Sequence, residues 1–275
     1  MMKISFQGAN GAYSHMSCLA VYPDAEPIPC ISFEEALNKV ASGETDIAMI
    51  PLENSSAGRV ADMHWLLPNT SLHIIGEYFH PVHHCLMCNT NADFNTIKNV
   101  YSHPQALAQC KKHLKEKGLI PCAYNDTAAA AQMISIEGDV TSAALASKLA
   151  AEIYGLKILE EDFQDFSHNT TRFLIFSKNE ITPERSERCI TSLIFKVKNI
   201  PAALYKAMGG FATNGVNMLK LESYMLDGHF SSTQFYVDVE GHKDDDAVKR
   251  AFDELHHFAD NIKILGCYVQ NRDNL

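Results

Sequence analysis

The sequence predicts an α/β protein in which two α/β lobes are followed by a smaller domain with the element order βαββαβ. Through residues 1–180, strand-like runs alternate with helical ones, which is typical of α/β folds with largely parallel strands. The stretch 178–190 is polar and charged and contains a proline, so it is a candidate linker. The runs that follow it have ferredoxin-like order. The predicted domains are therefore residues 1–180 and 190–270.

The first lobe is predicted to alternate between strand and helix from its beginning. Its elements are a strand at Lys3–Phe6, a helix from about Ser14, a strand at Ile28–Ile31, a helix at Ser32–Ala41 and a strand at Asp46–Pro51. The second helix has the clearest ends, because Ser32 and Glu35 have the spacing of a capping box. Gly43 follows where a left-handed C-terminal cap is expected.

The second lobe is predicted from a further set of helix and strand signals. Pro104 fits the first position of a helix that ends near Gly118. Three apolar residues share one face of that helix: Leu107, Cys110 and Leu114. The other predicted elements are strands at Ile120–Ala123 and Leu156–Leu159, helices from about Thr127 and Ser142, and an apolar strand over residues 173–176.

The βαββαβ domain has alternating strands and two amphipathic helices. Its elements are a strand at Ile190–Val197, a helix opened by Pro201 and closed by Gly215, strands at Val216–Leu226 and Phe230–Val239 joined by a tight turn at Asp227-Gly228, a helix at Asp244–Ala259 and a strand at Ile262–Val269. An antiparallel sheet with both helices on one face leaves its other face and an edge available. We therefore expect a homodimer or homotetramer.

Composition and charge exclude several classes of partner. The 46% apolar and 20% charged residues are typical of a globular protein, and no run of about 18 apolar residues could span a bilayer. A net charge of −10 with scattered lysines argues against nucleic acid. Glycine at position 8 comes too early for a secretory signal. We expect a small-molecule partner, no nucleic acid, no membrane and a cytoplasmic location.

The eight cysteines are irregularly spaced, so reduced and mostly buried thiols are expected rather than a disulfide framework. One segment, His80–Cys88, combines a Cys-x-x-Cys with three histidines and could suggest zinc. A strand there would place Cys85 and Cys88 on opposite faces, where both cannot easily bind one ion. We therefore expect a buried strand and no metal.

Residues 166–173 place amide, hydroxyl and guanidinium groups directly before an apolar strand. Only two arginines, Arg59 and Arg172, occur in the first 180 residues. Arg172 is therefore one of few groups there that could hold a carboxylate through two parallel hydrogen bonds. The alternative is an ordinary strand entry, with the Asn and Thr side chains bonded to turn backbone and the Arg in solvent.

Five segments, in one order, resemble the prephenate dehydratase family with a C-terminal ACT regulatory domain. They are Phe6–Ser14, Ile50–Ser55 with Gly58, Ser102–Leu107, Asp126-Thr127 and Asn169–Phe173, and the resemblance covers almost the full length. It implies a catalytic domain of two α/β lobes similar to periplasmic binding proteins, which close around the substrate. It also implies decarboxylating dehydration of prephenate to phenylpyruvate, a scheme that requires no cofactor.

The resemblance carries the essential threonine of the family onto Thr171. Arg172 is expected to hold a substrate carboxylate, and main-chain amides of Gly11–Ser14 could add anion-binding dipoles. The other residues expected to contact substrate are Ser14, Asn54, Ser55, Ser102, His103, Gln105, Thr127, Asn169 and Phe173. Capping and turn formation is the alternative role for the polar ones among them.

A threonine hydroxyl is a poor acid, so the hypothesis for Thr171 is that it donates a hydrogen bond to the departing hydroxyl oxygen of the substrate. Glu53 and His103 are the rival candidates for a true proton donor. Glu53 follows Pro51 and Leu52 in a chain reversal, where a structural role is the alternative.

The ACT resemblance implies phenylalanine as an effector. The implied ligand loop is Asn199, Ile200, Pro201, Ala202, Ala203 and Leu204, and the second signature begins with Glu222 and Ser223. Tyr224-Met225 stands where the family typically has Arg-Pro, which leaves the effector open, and a domain retained only for dimerisation is the alternative. For the whole chain, the alternatives are an arogenate dehydratase and a non-catalytic two-lobed protein that binds an anion.

Overall fold

The computed structural model describes residues 1–198, 200–226 and 229–272. The chain forms two compact units, Met1–Val60 with Tyr78–Phe173, and Ala61–Glu77 with Leu174–Leu275. Asn199 and the predicted turn at Asp227-Gly228 lie outside the described residues. Each unit is built from separate stretches of the chain, so sequence order and spatial order differ.

Three sheets and nine α-helices occur in the described part of the chain. In chain order the elements are β1 (Lys3–Gln7), α1 (Tyr13–Val21), β2 (Glu26–Cys30), α2 (Phe33–Ser42), β3 (Ile47–Asn54), β4 (Gly58–Arg59), α3 (Met63–Asn69), β5 (His73–Pro81), β6 (Cys85–Cys88), a 3-10 turn (Phe94–Thr96), β7 (Asn99–Ser102), α4 (Pro104–Gln109), α5 (Lys111–Glu116), β8 (Ile120–Ala123), α6 (Thr127–Glu137), β9 (Ser142–Ala146), α7 (Lys148–Tyr154), β10 (Lys157–Glu160), β11 (Thr170–Ser177), β12 (Cys189–Val197), α8 (Ala203–Thr213), β13 (Met218–Leu226), β14 (His229–Glu240), α9 (Asp246–Phe258) and β15 (Ala259–Val269).

The first two sheets have parallel strands at their centres, as the alternating pattern predicts. The first has the order β2-β1-β3-β11-β5, with β4 paired to β3, and the second has the order β10-β6-β9-β7-β8. β1 is parallel to β2 and β3, and β7 is parallel to β8 and β9. β6 is antiparallel to both of its neighbours. The α/β prediction for this part of the chain is confirmed.

Helix α2 has the predicted ends. The Ser32 hydroxyl accepts a hydrogen bond from the Glu35 N–H at 3.1 Å, and Gly43 closes the helix with φ 83°. In a capping box the Glu35 carboxylate would accept from the N–H of Ser32. Here it accepts instead from the N–H of the preceding residue, Ile31, at 2.8 Å. Local capping chemistry therefore determines both ends of this helix.

Two helix predictions in the second lobe are wrong. The predicted helix from Ser142 is instead the strand β9, followed by α7 from Lys148. Its alanine-rich sequence favours a helix, but β9 is buried at every residue between two neighbouring strands, and this tertiary context overrides the propensity. The helix predicted from Pro104 to Gly118 is divided at Cys110 into α4 and α5.

The C-terminal sheet has the order β13-β14-β12-β15, which with two helices gives the predicted ferredoxin-like topology. The helices pack on one face over a core that includes Phe195, Phe211, Val237 and Leu255. Helix α8 begins at Ala203 and not at Pro201, because Ala202 adopts a left-handed conformation with φ 60°. Pro201 therefore belongs to the loop before the helix.

The other face of this sheet is not available, contrary to the sequence prediction. Ser192, Tyr236, Asp238 and Tyr268 are buried there. The Ser192 hydroxyl donates to the Asp238 carboxylate at 2.5 Å and also contacts the Tyr268 hydroxyl at 2.8 Å. A contiguous buried polar cluster fills the surface that was expected to be open.

The segment 61–77 covers part of this face of the C-terminal sheet, and it belongs to the same compact unit as the sheet. The Lys263 ammonium donates to the carbonyls of Leu67, Pro68 and Thr70 at the end of α3. Gly266 passes so close to Ile74 that a Cβ atom at position 266 would lie 2.0 Å from the Ile74 carbonyl oxygen. Backbone contact of this kind requires glycine.

No helix in the described residues combines the length and the apolar character needed to cross a lipid bilayer.

Replacing Gly266 by Ala should lower the free energy of unfolding by about 3 kcal/mol, because backbone atoms must move apart to admit the methyl group. Gly209→Ala is the matched control. A Cβ at position 209 in α8 meets nothing within 4 Å, so alanine should raise the stability by about 0.5–1 kcal/mol. Urea unfolding of the three proteins measures both effects, and equal stability of the Gly266 variant and the parent would contradict the contact.

Candidate active site

The carboxamide of Asn54 connects β3 to β11. Its Oδ1 accepts hydrogen bonds from the backbone N–H groups of Ser56 at 2.9 Å and Ala57 at 2.8 Å. Its Nδ2 donates to Asn169 Oδ1 at 2.8 Å and to Thr171 Oγ1 at 2.9 Å. Both amide hydrogens and both lone pairs are therefore committed. Asn54, expected to contact substrate, instead orients two other side chains.

Thr171 accepts the hydrogen bond from Asn54, and this leaves its own hydroxyl hydrogen uncommitted. Within the described residues, no protein group accepts that hydrogen. The side chain is partly exposed near the start of β11. An accepted bond also polarises the hydroxyl and strengthens it as a donor. Thr171 therefore keeps a hydroxyl hydrogen that is available to a ligand.

Glu53 and Arg172 lie on the opposite faces of the same two strands. The Arg172 guanidinium, only 2% exposed, donates to Glu53 Oε1 at 3.1 Å and lies 5.9 Å from the centre of the Phe79 ring. Side chains alternate along a strand, so neighbours in sequence point in opposite directions. Thr171 and Arg172 therefore lie on opposite faces of β11, and the expectation that Arg172 holds a substrate carboxylate stays a prediction.

A cavity of about 360 Å³ lies next to this network. Its lining residues are Ser56, Ala57, Gln105, Ala108, Gln109, Gln164, Phe166 and Asn169. Gln105 and Asn169 are the members predicted from sequence. Gln109 was missed, although it follows Gln105 by four residues and therefore shares its helix face. Four of the lining residues are carboxamides and Phe166 contributes an exposed aromatic ring, so the cavity combines hydrogen-bonding groups with apolar surface.

Gln109 is the best connected of the lining residues. Its Oε1 accepts from Asn169 Nδ2 at 2.9 Å and lies 2.9 Å from His84 Nε2. Its Nε2 has no protein partner in the described part of the chain. The carboxamide thus has one committed end and one end left for a ligand.

The other predicted contacts are mostly committed to structure. The Ser55 hydroxyl accepts from the Thr170 N–H at 2.9 Å, and the buried Ser102 hydroxyl donates to the Leu145 carbonyl at 2.6 Å. His103 Nδ1 accepts from the Gln105 N–H at 3.2 Å and caps α4. Three further residues have the following positions: Ser14 is buried in α1, Thr127 begins α6 half-buried, and Phe173 is buried on β11.

The loop before α1 packs closely against α7. Gly11 has φ 90°, and a Cβ there would lie 2.7 Å from the Ala150 backbone. The Ser147 hydroxyl donates to the Gly11 carbonyl at 2.5 Å. The Gly11 N–H donates to His15 Nδ1 at 2.9 Å, so this amide is not free to bind an anion as expected. The Ala12 N–H is committed as well, since it donates to the Ala9 carbonyl at 3.0 Å. The amides of Tyr13 and Ser14 are the members of the predicted set left for that role.

The predicted effector residues surround the start of α8 and the strand β13. Ile200 is exposed, Ala203 is buried and Leu204 packs against the core of the domain. The Glu222 carboxylate pairs with Lys220 at 3.2 Å, and Ser223 is exposed. Tyr224, at the position where the resemblance implies an arginine, is buried with its ring centre 3.9 Å from that of His64.

The described residues contain no group of three or more His, Cys, Asp or Glu side chains placed to hold a metal ion. Cys85 and Cys88 are both buried on β6, whereas His80, at the other end of this segment, belongs to β5. Burial raises the pKa of the Cys85 thiol to about 11. A neutral thiol is a poor metal ligand and nucleophile.

Comparison with known proteins gives a consistent result. A family model described as prephenate dehydratase matches residues 4–181. A relative from Komagataeibacter europaeus, named bifunctional N-acyl-homoserine lactone acylase/prephenate dehydratase, is 46% identical over 266 residues, which cover 96% of this chain and 95% of the relative. Arogenate dehydratase/prephenate dehydratase 2 of Arabidopsis thaliana is 37% identical, with 97% of this chain and 72% of the relative covered.

Two solved structures are similar over nearly the whole chain. One, described as "GqqA- a novel type of quorum quenching acylases", is 45% identical with a TM-score of 0.91 and covers 98% of both chains. The other is prephenate dehydratase from Arthrobacter aurescens in complex with L-Phe, which is 30% identical with a TM-score of 0.90. It covers 98% of this chain and 90% of its own.

Acid should destabilise the protein through His80. This residue is 7% exposed, and burial, with a smaller effect of His83, lowers its pKa to about 4. The unfolded chain binds the proton near pH 6.5, so the stability due to neutral His80 is present above pH 6.5 and is lost as the pH falls towards 4. The expected loss is about 3 kcal/mol.

Urea unfolding at pH 7 and pH 4.5 measures this loss. His80→Phe should show a smaller loss of stability than the parent, while contributions from other groups, including His84, are common to both proteins. An identical loss in parent and variant would rule out His80 as the titrating group.

Proposed function

The chain belongs to the prephenate dehydratase family, and we propose that it catalyses the decarboxylating dehydration of prephenate to phenylpyruvate, carbon dioxide and water. The observation that carries the proposal is the uncommitted hydroxyl hydrogen of Thr171, because the Asn54 amide that binds Thr171 also binds Asn169, a lining residue of the cavity. A hydrogen-bond donor that needs no ionisation suits a reaction in which a hydroxyl group leaves.

The reaction needs positioning and charge stabilisation more than acid–base chemistry. The bond between the ring and its carboxylate breaks and releases carbon dioxide, and its electron pair enters the ring as the carbon–oxygen bond of the ring hydroxyl breaks. Loss of both groups completes the aromatic ring, and the departing hydroxide takes a proton to become water. Aromatisation supplies most of the driving force, so a preorganised donor at the departing oxygen lowers the barrier.

We assign the hydrogen bond to the departing oxygen to Thr171. Gln105 and Gln109 supply amide donors to the anionic substrate from the cavity wall, together with main-chain N–H groups at the entrance of α1. Arg172 and Glu53 form the ion pair that holds β3 and β11 together behind Thr171. In this assignment Asn54 and Asn169 position the donors.

The two rival proton donors are poorly suited to that role. The carboxylate of Glu53 accepts a hydrogen bond from the Arg172 guanidinium at 3.1 Å, so it is engaged within the protein. Burial lowers the pKa of His103, with Asp126 opposing it, so the ring is neutral at pH 7. Solvent therefore supplies the proton that completes the leaving water.

Thr171→Val should reduce kcat for prephenate by about 100-fold or more, because valine keeps the shape of the side chain and removes the donor. Thr171→Ser should retain part of the activity. Thr170→Val is the matched control, since the Thr170 side chain points away from Asn54, and it should remain near the parent. The assay follows phenylpyruvate formation, and near-normal turnover by Thr171→Val would remove the proposal.

Arogenate is the alternative substrate, with an amino group where prephenate carries a keto group. The Arabidopsis thaliana relative is named for both substrates, so the family does not decide between them. Turnover of the two compounds side by side distinguishes the cases, because prephenate gives phenylpyruvate and arogenate gives phenylalanine. A protein that binds both and converts neither would be the non-catalytic alternative.

The Komagataeibacter europaeus relative is also named for an acylase reaction. Hydrolysis of an amide commonly uses a nucleophile activated by a base. Within residues 1–60 and 78–173, no serine, threonine or cysteine side chain is hydrogen-bonded to a histidine ring. We therefore restrict the proposal to dehydration.

We assign residues 1–180 to the catalytic domain and residues 190–270 to an ACT regulatory domain that responds to phenylalanine. The ferredoxin-like topology and the Arthrobacter aurescens structure with L-Phe support this assignment. The segment Ala61–Glu77 could transmit an effect of phenylalanine to the Asn54 loop. It follows that loop in sequence and belongs to the compact unit of the ferredoxin-like domain.

Millimolar phenylalanine should reduce prephenate turnover about fivefold or more, a typical size for coupling between two sites. The assay compares activity with no addition, with phenylalanine and with alanine, which has the same amino-acid group but no ring. Equal activity under all three conditions would favour a domain that serves only in dimerisation.

We further propose a homodimer or homotetramer in the cytoplasm. Strands β13 and β15 form the edges of the C-terminal sheet and offer surfaces for pairing with a second copy. All eight cysteines are free thiols, which is expected in a reducing compartment.

A further inference from the structure

Tyr13 and His84 lie behind Gln109, on the side away from its uncommitted amide nitrogen. His84 Nε2 is 2.9 Å from Gln109 Oε1, and His84 Nδ1 is 2.8 Å from the Tyr13 hydroxyl. The hydroxyl also lies 2.7 Å from the His83 carbonyl oxygen. His84 is 2% exposed. Neither side chain has a role in the mechanism described so far.

The direction of each hydrogen bond in this network follows from the backbone. The N–H groups of Ser56 and Ala57 can only donate, so the Asn54 atom that faces them is oxygen. Asn54 therefore presents its NH2 group to Asn169, whose facing atom must be oxygen. Asn169 in turn presents its NH2 group to Gln109, whose facing atom must also be oxygen.

The same reasoning fixes the protonation of His84. Gln109 Oε1 can only accept, so His84 Nε2 must carry a hydrogen. In a neutral imidazole the other nitrogen, Nδ1, is then an acceptor, and the Tyr13 hydroxyl donates to it. The Tyr13 hydrogen is shared with the His83 carbonyl as a three-centre bond. A chain of directed bonds thus runs from two backbone amides to a tyrosine.

We propose that Tyr13 and His84 are positioning residues that hold the carboxamide of Gln109 with its NH2 group towards the cavity. Without them, one hydrogen bond from Asn169 would hold Gln109, and its amide could turn to present oxygen to an anionic ligand. Asn169 and His84 both donate to Gln109 Oε1. Rotation of the Gln109 amide by half a turn is therefore costly, because its NH2 group would then face two other donors. The proposed benefit for prephenate binding rests on the proposed function, whereas the bond directions do not.

The surroundings keep both groups in the required protonation state. Burial raises the pKa of Tyr13 well above its usual value, so the hydroxyl keeps its hydrogen. Burial also lowers the pKa of His84, outweighing the opposing effect of the hydrogen bond that His84 donates to Gln109, and this favours the neutral ring.

Nitrogen-15 NMR of the imidazole rings in the full chain at pH 7 tests the bond directions without any substrate. The His84 signals, identified by their loss in His84→Gln, should show a protonated Nε2 and an unprotonated Nδ1. Asn54→Asp should reverse which imidazole nitrogen carries the hydrogen. A carboxylate at position 54 can only accept, so Asn169 would turn its NH2 group towards it and its oxygen towards Gln109. Gln109 would then turn its NH2 group towards Asn169 and donate to His84 Nε2. A protonated Nδ1 or a cationic ring in the parent overturns the proposal, as does an unchanged pattern in Asn54→Asp.

Steady-state kinetics tests the consequence for Gln109. Tyr13→Phe should raise KM for prephenate about tenfold with little change in kcat, the size of effect expected for the loss of one hydrogen bond. Tyr22→Phe, which removes a hydroxyl elsewhere in the same lobe, is the matched control and should not change KM. His84→Gln, which keeps an N–H donor, should have a lower KM than His84→Leu.

Equal KM values for Tyr13→Phe and Tyr22→Phe would refute the positioning role. If the parent protein fails to convert prephenate, the proposed function fails, but the NMR result still decides whether the bond directions are correct.

Discussion

The two backbone N–H groups that bind Asn54 determine the chemistry of everything around them. Because those donors cannot reverse, the amide of Asn54 has a single orientation, and Asn169, Thr171, Gln109 and His84 are oriented in turn. Polar side chains are usually free to rotate or exchange donor and acceptor roles. Here a tight turn after β3 removes that freedom and leaves two donors, on Thr171 and Gln109, for a ligand. The preorganisation that the proposed mechanism requires therefore has an identifiable origin.

The sequence predicted the fold well where local signals and tertiary packing agree. The capping residues of α2, the βαββαβ order and the strand after the polar cluster were all identifiable from residue types and spacing. The Ser142–Ala146 run was not, because its composition favours a helix and only burial between two strands makes it β9. The segment 61–77, which lies in the compact unit of the C-terminal domain, carried no signal of that association.

For the candidate site, sequence identified the strands and most of the elements but not the direction of their side chains. Thr171 and Arg172 form one short motif, yet strand alternation separates them onto two faces, and only Thr171 contacts Asn54. Asn54 was expected to contact substrate because it is polar and belongs to a motif, whereas its hydrogen bonds are all used within the protein. Whether the hydrogen bonds of a side chain are all used depends on residues more than 100 positions away in the sequence, and a local sequence pattern does not show such contacts.

The contact between Lys263 and the end of α3 has a consequence for how the polypeptide is made. The carbonyls of Leu67, Pro68 and Thr70 leave the ribosome roughly 190 residues before the ammonium that binds them, and the buried Glu77 precedes its partner Arg272 by a similar interval. Domains generally fold as units as they are synthesised. The segment that contains Leu67 and Glu77 must therefore remain without these partners until Lys263 and Arg272 have been synthesised, and truncation before those two residues would impair structure encoded far upstream of the truncation.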